Sequence, residues 1–157
     1  LIAGGNRSNK YYNEIKHIIK KLKLKDSVVL LGAVSKEDLR YLFSSCTFLI
    51  FPSPCENFAY TLVEAMCRGA TIICSNTTAM PETCQEAAIY FDPNNTKEMA
   101  EKIKLLISNE ELRKTLSRKS LERVKELPDY KEVTTKVISI IKSIVGGIQS
   151  NSLPKGD

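Results

Sequence analysis

Short apolar runs alternate with amphipathic stretches along this chain. Residues 1–4 read as a strand ending in Gly-Gly. Tyr12, Ile15, Ile19 and Leu22 recur at helical spacing, which predicts a helix over about 9–24. Residues 27–31 form a second apolar strand, stopped by Gly32. Ser35-Lys36-Glu37-Asp38 caps a helix whose apolar face is Leu39, Leu42 and Phe43. Residues 47–51 are an uninterrupted apolar run, predicted as a strand buried on both faces, and Pro52-Ser53-Pro54 breaks it.

A helix is predicted over about 60–68, stopped by Gly69, and residues 70–74 form another buried, β-branched strand. Pro81 opens a short helix, residues 88–91 are a short strand, and Asp92-Pro93-Asn94-Asn95 is a turn. Met99, Ile103 and Leu106 mark the next helix, and Leu112, Leu116 and Val124 mark another. Pro128 separates it from a last helix carrying Val133, Val137, Ile141 and Ile144. From Gly146 onward no residue builds a core, so a disordered tail is expected over 146–157.

Strands this short, alternating with helices, predict an α/β domain over residues 1–145. Its sheet is parallel and Rossmann-like, with helices on both faces. Such sheets bind ligands outside the carboxyl ends of their strands. The segment after residues 47–51 is therefore where chemistry is expected.

Composition narrows the class. The 157 residues are one domain's worth, with 43% hydrophobic and 26% charged residues, which excludes a disordered or fibrous chain. No apolar run approaches the ~20 residues of a membrane span, and residues 1–5 do not read as a signal peptide. The net charge of +5 is mild, and the lysines lack aromatic interleaving, so no nucleic-acid partner is expected. Six lysines between Lys10 and Lys25 form either a solvated helix face or a peripheral contact with an anionic membrane. The five cysteines contain no C-x-x-C pair and read as reduced, mostly buried thiols of a cytosolic protein. His17 is the one histidine and sits in a lysine-rich helix, so no metal site is expected. The Asn-x-Ser/Thr triplets at Asn6, Asn76 and Asn94 read as accidental.

The segment from Pro52 to Gly69 concentrates the candidate chemistry. Glu56 lies in the loop after the strand, and Glu64 lies about one turn into the following helix. Between them is a helix N-terminus, whose first N–H groups have no intrahelical partner. That layout suits a nucleotide diphosphate carrying a sugar. Backbone N–H groups near Ala59, Tyr60 and Thr61 would hold phosphate, Glu64 would reach a ribose diol, and Glu56 would accept hydrogen bonds from sugar hydroxyls. Spacing alone is equally compatible with two solvated charges.

The run P-S-x-x-E-x-F-x-x-x-x-x-E-A-M-x-x-G, from Pro52 to Gly69, resembles the signature of the retaining GT-B glycosyltransferases of the "glycosyltransferases group 1" (family 4) class. Further landmarks follow in order, from Leu1 to about Tyr130. Leu-Ile-Ala-Gly-Gly at 1–5 is similar to the family's second C-domain strand, and residues 28–35 to its nucleobase-side strand and loop. Residues 70–75, Met80-Pro81-Glu82 and residues 88–93 match later landmarks. The resemblance implies that Glu56 contacts the donor sugar and supports an oxocarbenium-like transition state, as the catalytic residue. It implies that Glu64 binds the ribose, and that Ser53, Asn57, Phe58, Ala59, Tyr60, Thr61 and Leu62 form the loop and helix start on the donor. Gly32 and Val34 fall beside the base. One departure stands out: the family has Gly where this chain has Ala59, which lacks the freedom of positive φ and adds a methyl near the ligand.

The resemblance also implies what surrounds the chain. The family's first C-domain strand, with a basic pair for the diphosphate, lies upstream of residue 1, and it is central between residues 1–4 and 47–51. The acceptor binds a separate N-terminal domain, which is the expected partner, so the expectation is a fragment inactive alone. The leaving diphosphate is expected to be met by a helix N-terminus and basic residues, without a metal or other cofactor. A cytoplasmic location at the inner face of the membrane is expected, in cell-envelope polysaccharide synthesis. Two alternatives remain open: a degenerate module that binds only a nucleotide or a protein, and a sugar-nucleotide epimerase-like enzyme.

Overall fold

Ile72-Ile73-Cys74-Ser75 carries two adjacent β-branched residues and no charge, and it forms the centre of the molecule. The computed structural model describes residues 1–5 and 8–150. Its elements, in chain order, are β1 (Ile2–Ala3), α1 (Asn9–Lys21), β2 (Leu30–Gly32), α2 (Lys36–Ser45), β3 (Leu49–Phe51), α3 (Tyr60–Met66), β4 (Ile72–Ser75), α4 (Ala79–Cys84), β5 (Ala88–Phe91), α5 (Thr96–Ser108), α6 (Glu110–Glu126) and α7 (Tyr130–Ser150). A 3-10 turn at Gln85–Ala87 joins α4 to β5.

β4 is buried along its whole length and paired on both edges, parallel to β3 and parallel to β5. Side chains alternate across a strand, and here the two faces feed two cores. Ile72 and Cys74 pack with Phe43, Leu62, Met66, Met80 and Cys84 from α2, α3 and α4. Ile73 packs on the opposite side with Phe91, Leu106 and Leu116 from β5, α5 and α6. Helices therefore cover both faces of the sheet, as the alternation predicts. Each isoleucine is fully buried, which contributes about 1.5–3 kcal/mol.

The other strands form a separate parallel pair, with Ile2 opposite Leu30 and Ala3 opposite Gly32. No ladder joins β1 to β3 among the described residues. This is the pair of strands that the family resemblance separates by a further strand. None of the described residues before Phe43 is buried.

The structure corrects several expectations. The run 47–51 is not buried on both faces: Ile50 is 38% exposed. Among the described strands β3 pairs only with β4, so solvent reaches its far side. The first helix ends at Lys21, because Leu24 belongs to its cap. Lys23 turns left-handed at φ 56°, and the Leu24 N–H returns to the Ile19 carbonyl at 2.9 Å. The Ser27 and Val28 N–H groups then bond the Leu24 carbonyl, which delays β2 to Leu30. Pro81 is the third residue of α4, not its opening. The thiols are not mostly buried: Cys46, Cys55 and Cys67 are exposed, and only Cys74 and Cys84 are inside. Cys46 caps α2 and Cys67 caps α3, so both sit at helix ends. α7 continues to Ser150, and the remainder of the expected disordered tail, 151–157, lies outside the described residues.

Candidate functional site: the loop after β3 and the helix it enters

After Phe51 the chain leaves the β3–β4 ladder through Pro52-Ser53-Pro54, two of whose three residues carry no N–H. It is held instead by the loop that leaves β4. The Thr77 hydroxyl donates to the Pro54 carbonyl at 3.0 Å. The Thr78 hydroxyl accepts the Glu56 backbone N–H, also at 3.0 Å. The Ser53 hydroxyl donates to the Cys55 carbonyl at 3.2 Å. Glu56 is half-buried within this framework, while Asn57 is exposed.

The entry to α3 is a tight inverse γ-turn. Ala59 has φ −81° and ψ 66°, and the Tyr60 N–H donates to the Phe58 carbonyl at 2.9 Å. The Ala59 carbonyl then accepts the Leu62 and Val63 N–H groups. Two consequences bear on the sequence reading. Ala59 needs no positive φ, and its methyl is buried in the core beside Leu62, Ala65 and Met66. The departure from glycine therefore places no methyl in solvent. Ala59 and Leu62 are given to the core, and the N–H groups of Tyr60 and Leu62 are already bonded. The Thr61 N–H has no partner among the described residues.

Phe58 and Tyr60 project outward, with ring centroids 4.6 Å apart and planes tilted by 60°. They form an exposed aromatic pair at the head of α3, between Glu56 and Glu64 in the chain.

Glu64 is exposed and lines a cleft of about 240 Å³ between α2 and α3. The other lining residues are Lys36, Leu39, Arg40, Phe43, Cys67 and Arg68, so Glu64 is the one acid among three cations. Lys36 and Arg40 share a helix face by their four-residue spacing, which is legible in the sequence. Gly32, at φ 68°, ends β2, and the half-buried Val34 leads into the Ser35 cap of α2. The loop expected beside a base thus runs directly into the helix that walls the Glu64 cleft. A wider hollow of about 620 Å³ on α1 is lined by Lys10, Asn13, Glu14, His17 and Ile18 and includes none of the expected site residues.

Comparisons with known proteins give the family and the fold. The family model described as Glycosyl transferases group 1 matches residues 1–123. This chain belongs to that family. It is 30% identical over 112 residues to O-antigen chain mannosyltransferase B of Escherichia coli, covering 71% of this chain and 29% of that protein. It is 32% identical over 115 residues to an uncharacterised glycosyltransferase of Methanocaldococcus jannaschii, covering 72% of this chain and 32% of that protein. The chain thus spans about a third of the length of these relatives. Among solved structures, sucrose-phosphate synthase from Thermosynechococcus elongatus superposes with a TM-score of 0.81 at 22% identity, over 92% of this chain and 38% of that one. The Anabaena protein HepE in complex with UDP superposes with a TM-score of 0.80 at 20% identity, over 90% of this chain and 40% of that one. These superpositions show that the chain has the α/β fold of a part of these GT-B proteins. None of the described helices is long and apolar enough to cross a membrane.

Proposed function

We propose that this chain is the donor-binding part of a retaining glycosyltransferase that moves a sugar from a nucleotide-diphosphate sugar to a glycan or lipid-linked acceptor. The observation that carries this reading is the placement of Glu56 and Glu64 on either side of the α3 turn, with Phe58 and Tyr60 exposed between them. Glu64 accepts hydrogen bonds from the two ribose hydroxyls, which a carboxylate with two oxygens can take together. The cationic rim of Lys36, Arg40 and Arg68 draws the anionic donor toward this cleft. The Thr61 N–H donates to a donor oxygen. Glu56 faces the sugar, where its negative charge stabilises the positive charge that develops at the anomeric carbon.

In this reading no metal is needed at the leaving diphosphate, so turnover survives chelation by EDTA. The acceptor site and the rest of the phosphate clamp belong to a longer protein, and residues 1–157 alone turn nothing over. The length of the relatives supports this assignment. The names of the Escherichia coli and Salmonella typhimurium O-antigen mannosyltransferases favour cell-envelope polysaccharide synthesis. The complex of HepE with UDP-glucose favours a nucleotide-sugar donor.

The test compares two substitutions in the full-length gene product. Glu56→Gln is expected to keep nucleotide affinity and lose about 10²–10³-fold in turnover, the range for removing one preorganised electrostatic group. Glu64→Ala is expected to weaken nucleotide binding itself. Equal loss of both properties in both variants would contradict the division of roles.

A further inference from the structure

Thr78 adopts φ 48° and ψ −125°, the conformation of the first central residue of a type II′ turn. The turn is closed by the Met80 N–H donating to the Thr77 carbonyl at 3.3 Å. Glycine is the usual occupant of that position, and a β-branched residue there is disfavoured. Such conformations persist only where the surroundings over-determine them. The surroundings of Thr78 are the loop that carries Glu56.

Glycine would relieve the backbone but would bring no hydroxyl. The Thr78 hydroxyl accepts the Glu56 N–H at 3.0 Å, across 22 residues of sequence. It also lies 3.9 Å from the Met80 sulfur, which is fully buried. Thr77, its neighbour, donates to the Pro54 carbonyl. Between Pro52 and Glu56 two of five residues lack an N–H, so the loop depends on these two threonines for anchorage from outside itself. Glu64 has no part in this arrangement, since it stands on α3 and lines a cleft formed with α2.

We infer that Thr78 is a positioning residue: its hydroxyl, held in a strained turn, sets the place of the Glu56 backbone and thereby of the carboxylate that meets the donor sugar. The inference rests on the reading of Glu56 and Glu64 given above. It separates the donor site into a sugar half governed by Thr78 and a nucleotide half independent of it.

The test uses the full-length gene product with three variants. Thr78→Val keeps the side chain's shape and removes the hydroxyl. Thr78→Ser keeps the hydroxyl. Thr78→Gly removes the hydroxyl and relieves the turn. Nucleotide affinity is read by titration with UDP, GDP and ADP. Turnover is read as release of nucleoside diphosphate when UDP-glucose or GDP-mannose transfers its sugar to water or to a supplied acceptor. Thr78→Val and Thr78→Gly are expected to lose at least about tenfold in kcat, the scale of a misplaced group near the reacting centre. Their nucleotide Kd is expected to stay within about twofold of wild type. Thr78→Ser is expected to recover most of the lost rate. Thr78→Gly is expected to be at least as stable to heat as wild type and still slow, which a merely structural threonine would not produce.

Full turnover in Thr78→Gly, or nucleotide affinity that falls in step with kcat, would overturn the inference while leaving the donor site standing. A wild-type protein that binds none of UDP, GDP and ADP would overturn both.

Discussion

Ser120 in α6 donates its hydroxyl hydrogen to the Ala70 carbonyl, 2.9 Å away and fifty residues earlier in the chain. One helical turn before it, the Ser117 hydroxyl donates to the Gly69 carbonyl. Together they tie α6 to the link between α3 and β4. Gly69 stands at φ 66°, and a Cβ there would lie 3.3 Å from the Ser117 oxygen. The helix that bears Glu64 is therefore fixed from behind by polar contacts, while its front edge is open.

Two fully buried serines should respond oppositely to loss of the hydroxyl. Ser120→Ala leaves the Ala70 carbonyl without its partner and should cost about 1–3 kcal/mol. Ser75, at the end of β4, has a buried hydroxyl with no partner among the described residues. Ser75→Ala should be neutral or stabilising by about 1 kcal/mol, because that hydroxyl is desolvated without return. Urea unfolding midpoints check both, and a common sign would contradict the packing described.

Tyr90 makes stability depend on alkaline pH. Burial pushes its hydroxyl above the usual tyrosine range, the nearby Cys84 and Cys74 thiols and Glu86 adding to this and Arg123 opposing it. The unfolded chain releases the same proton near pH ~10. The contribution is therefore complete below about pH 10 and is lost as pH rises toward the folded value. The Tyr90 hydroxyl also donates to the Gln85 carbonyl at 2.6 Å. Tyr90→Phe should cost about 0.5–1.5 kcal/mol at neutral pH, and the gap to wild type should shrink by about pH 11. A gap that stays constant from neutral to alkaline pH would refute this.

The cysteines should divide by accessibility. Cys46, Cys55 and Cys67 are exposed and should react with an aromatic disulfide reagent in the native state, whereas Cys74 and Cys84 should react only on unfolding. Partial burial of its sulfur raises the Cys46 thiol, which lowers its thiolate fraction and slows its labelling. The neighbouring Cys84 thiol and burial together push the Cys74 thiol up. Mass mapping of the labelled sites would expose any exchange between the two groups.

Much of the fold is legible in the sequence because caps and strand composition act locally. Ser35 caps α2 by accepting the Asp38 N–H, Asn95 caps α5, and β5 spans the four residues its pattern predicts. What failed depends on neighbours. Ile50 looks like Ile73 in composition, but β3 has one described neighbour where β4 has two. Leu24 continues an apolar period yet serves a helix cap. Within the site, Glu56, Phe58 and Glu64 were visible as a spaced signature. Thr77 and Thr78 were not, because a threonine at positive φ contradicts turn chemistry, and the contacts that hold it come from a distant loop. The place of the Ala59 methyl is set by core packing beside Leu62, Ala65 and Met66, which the residue type alone does not reveal.

Titration of UDP, GDP and ADP into the full-length gene product, with Glu64→Ala beside it, tests the central claim most directly. The account predicts that one nucleotide binds preferentially and that Glu64→Ala weakens it at least about tenfold, the scale of losing a hydrogen bond to a charged group. A folded protein that binds none of the three, or a Glu64→Ala variant that binds as wild type does, would contradict a nucleotide-sugar site at the head of α3.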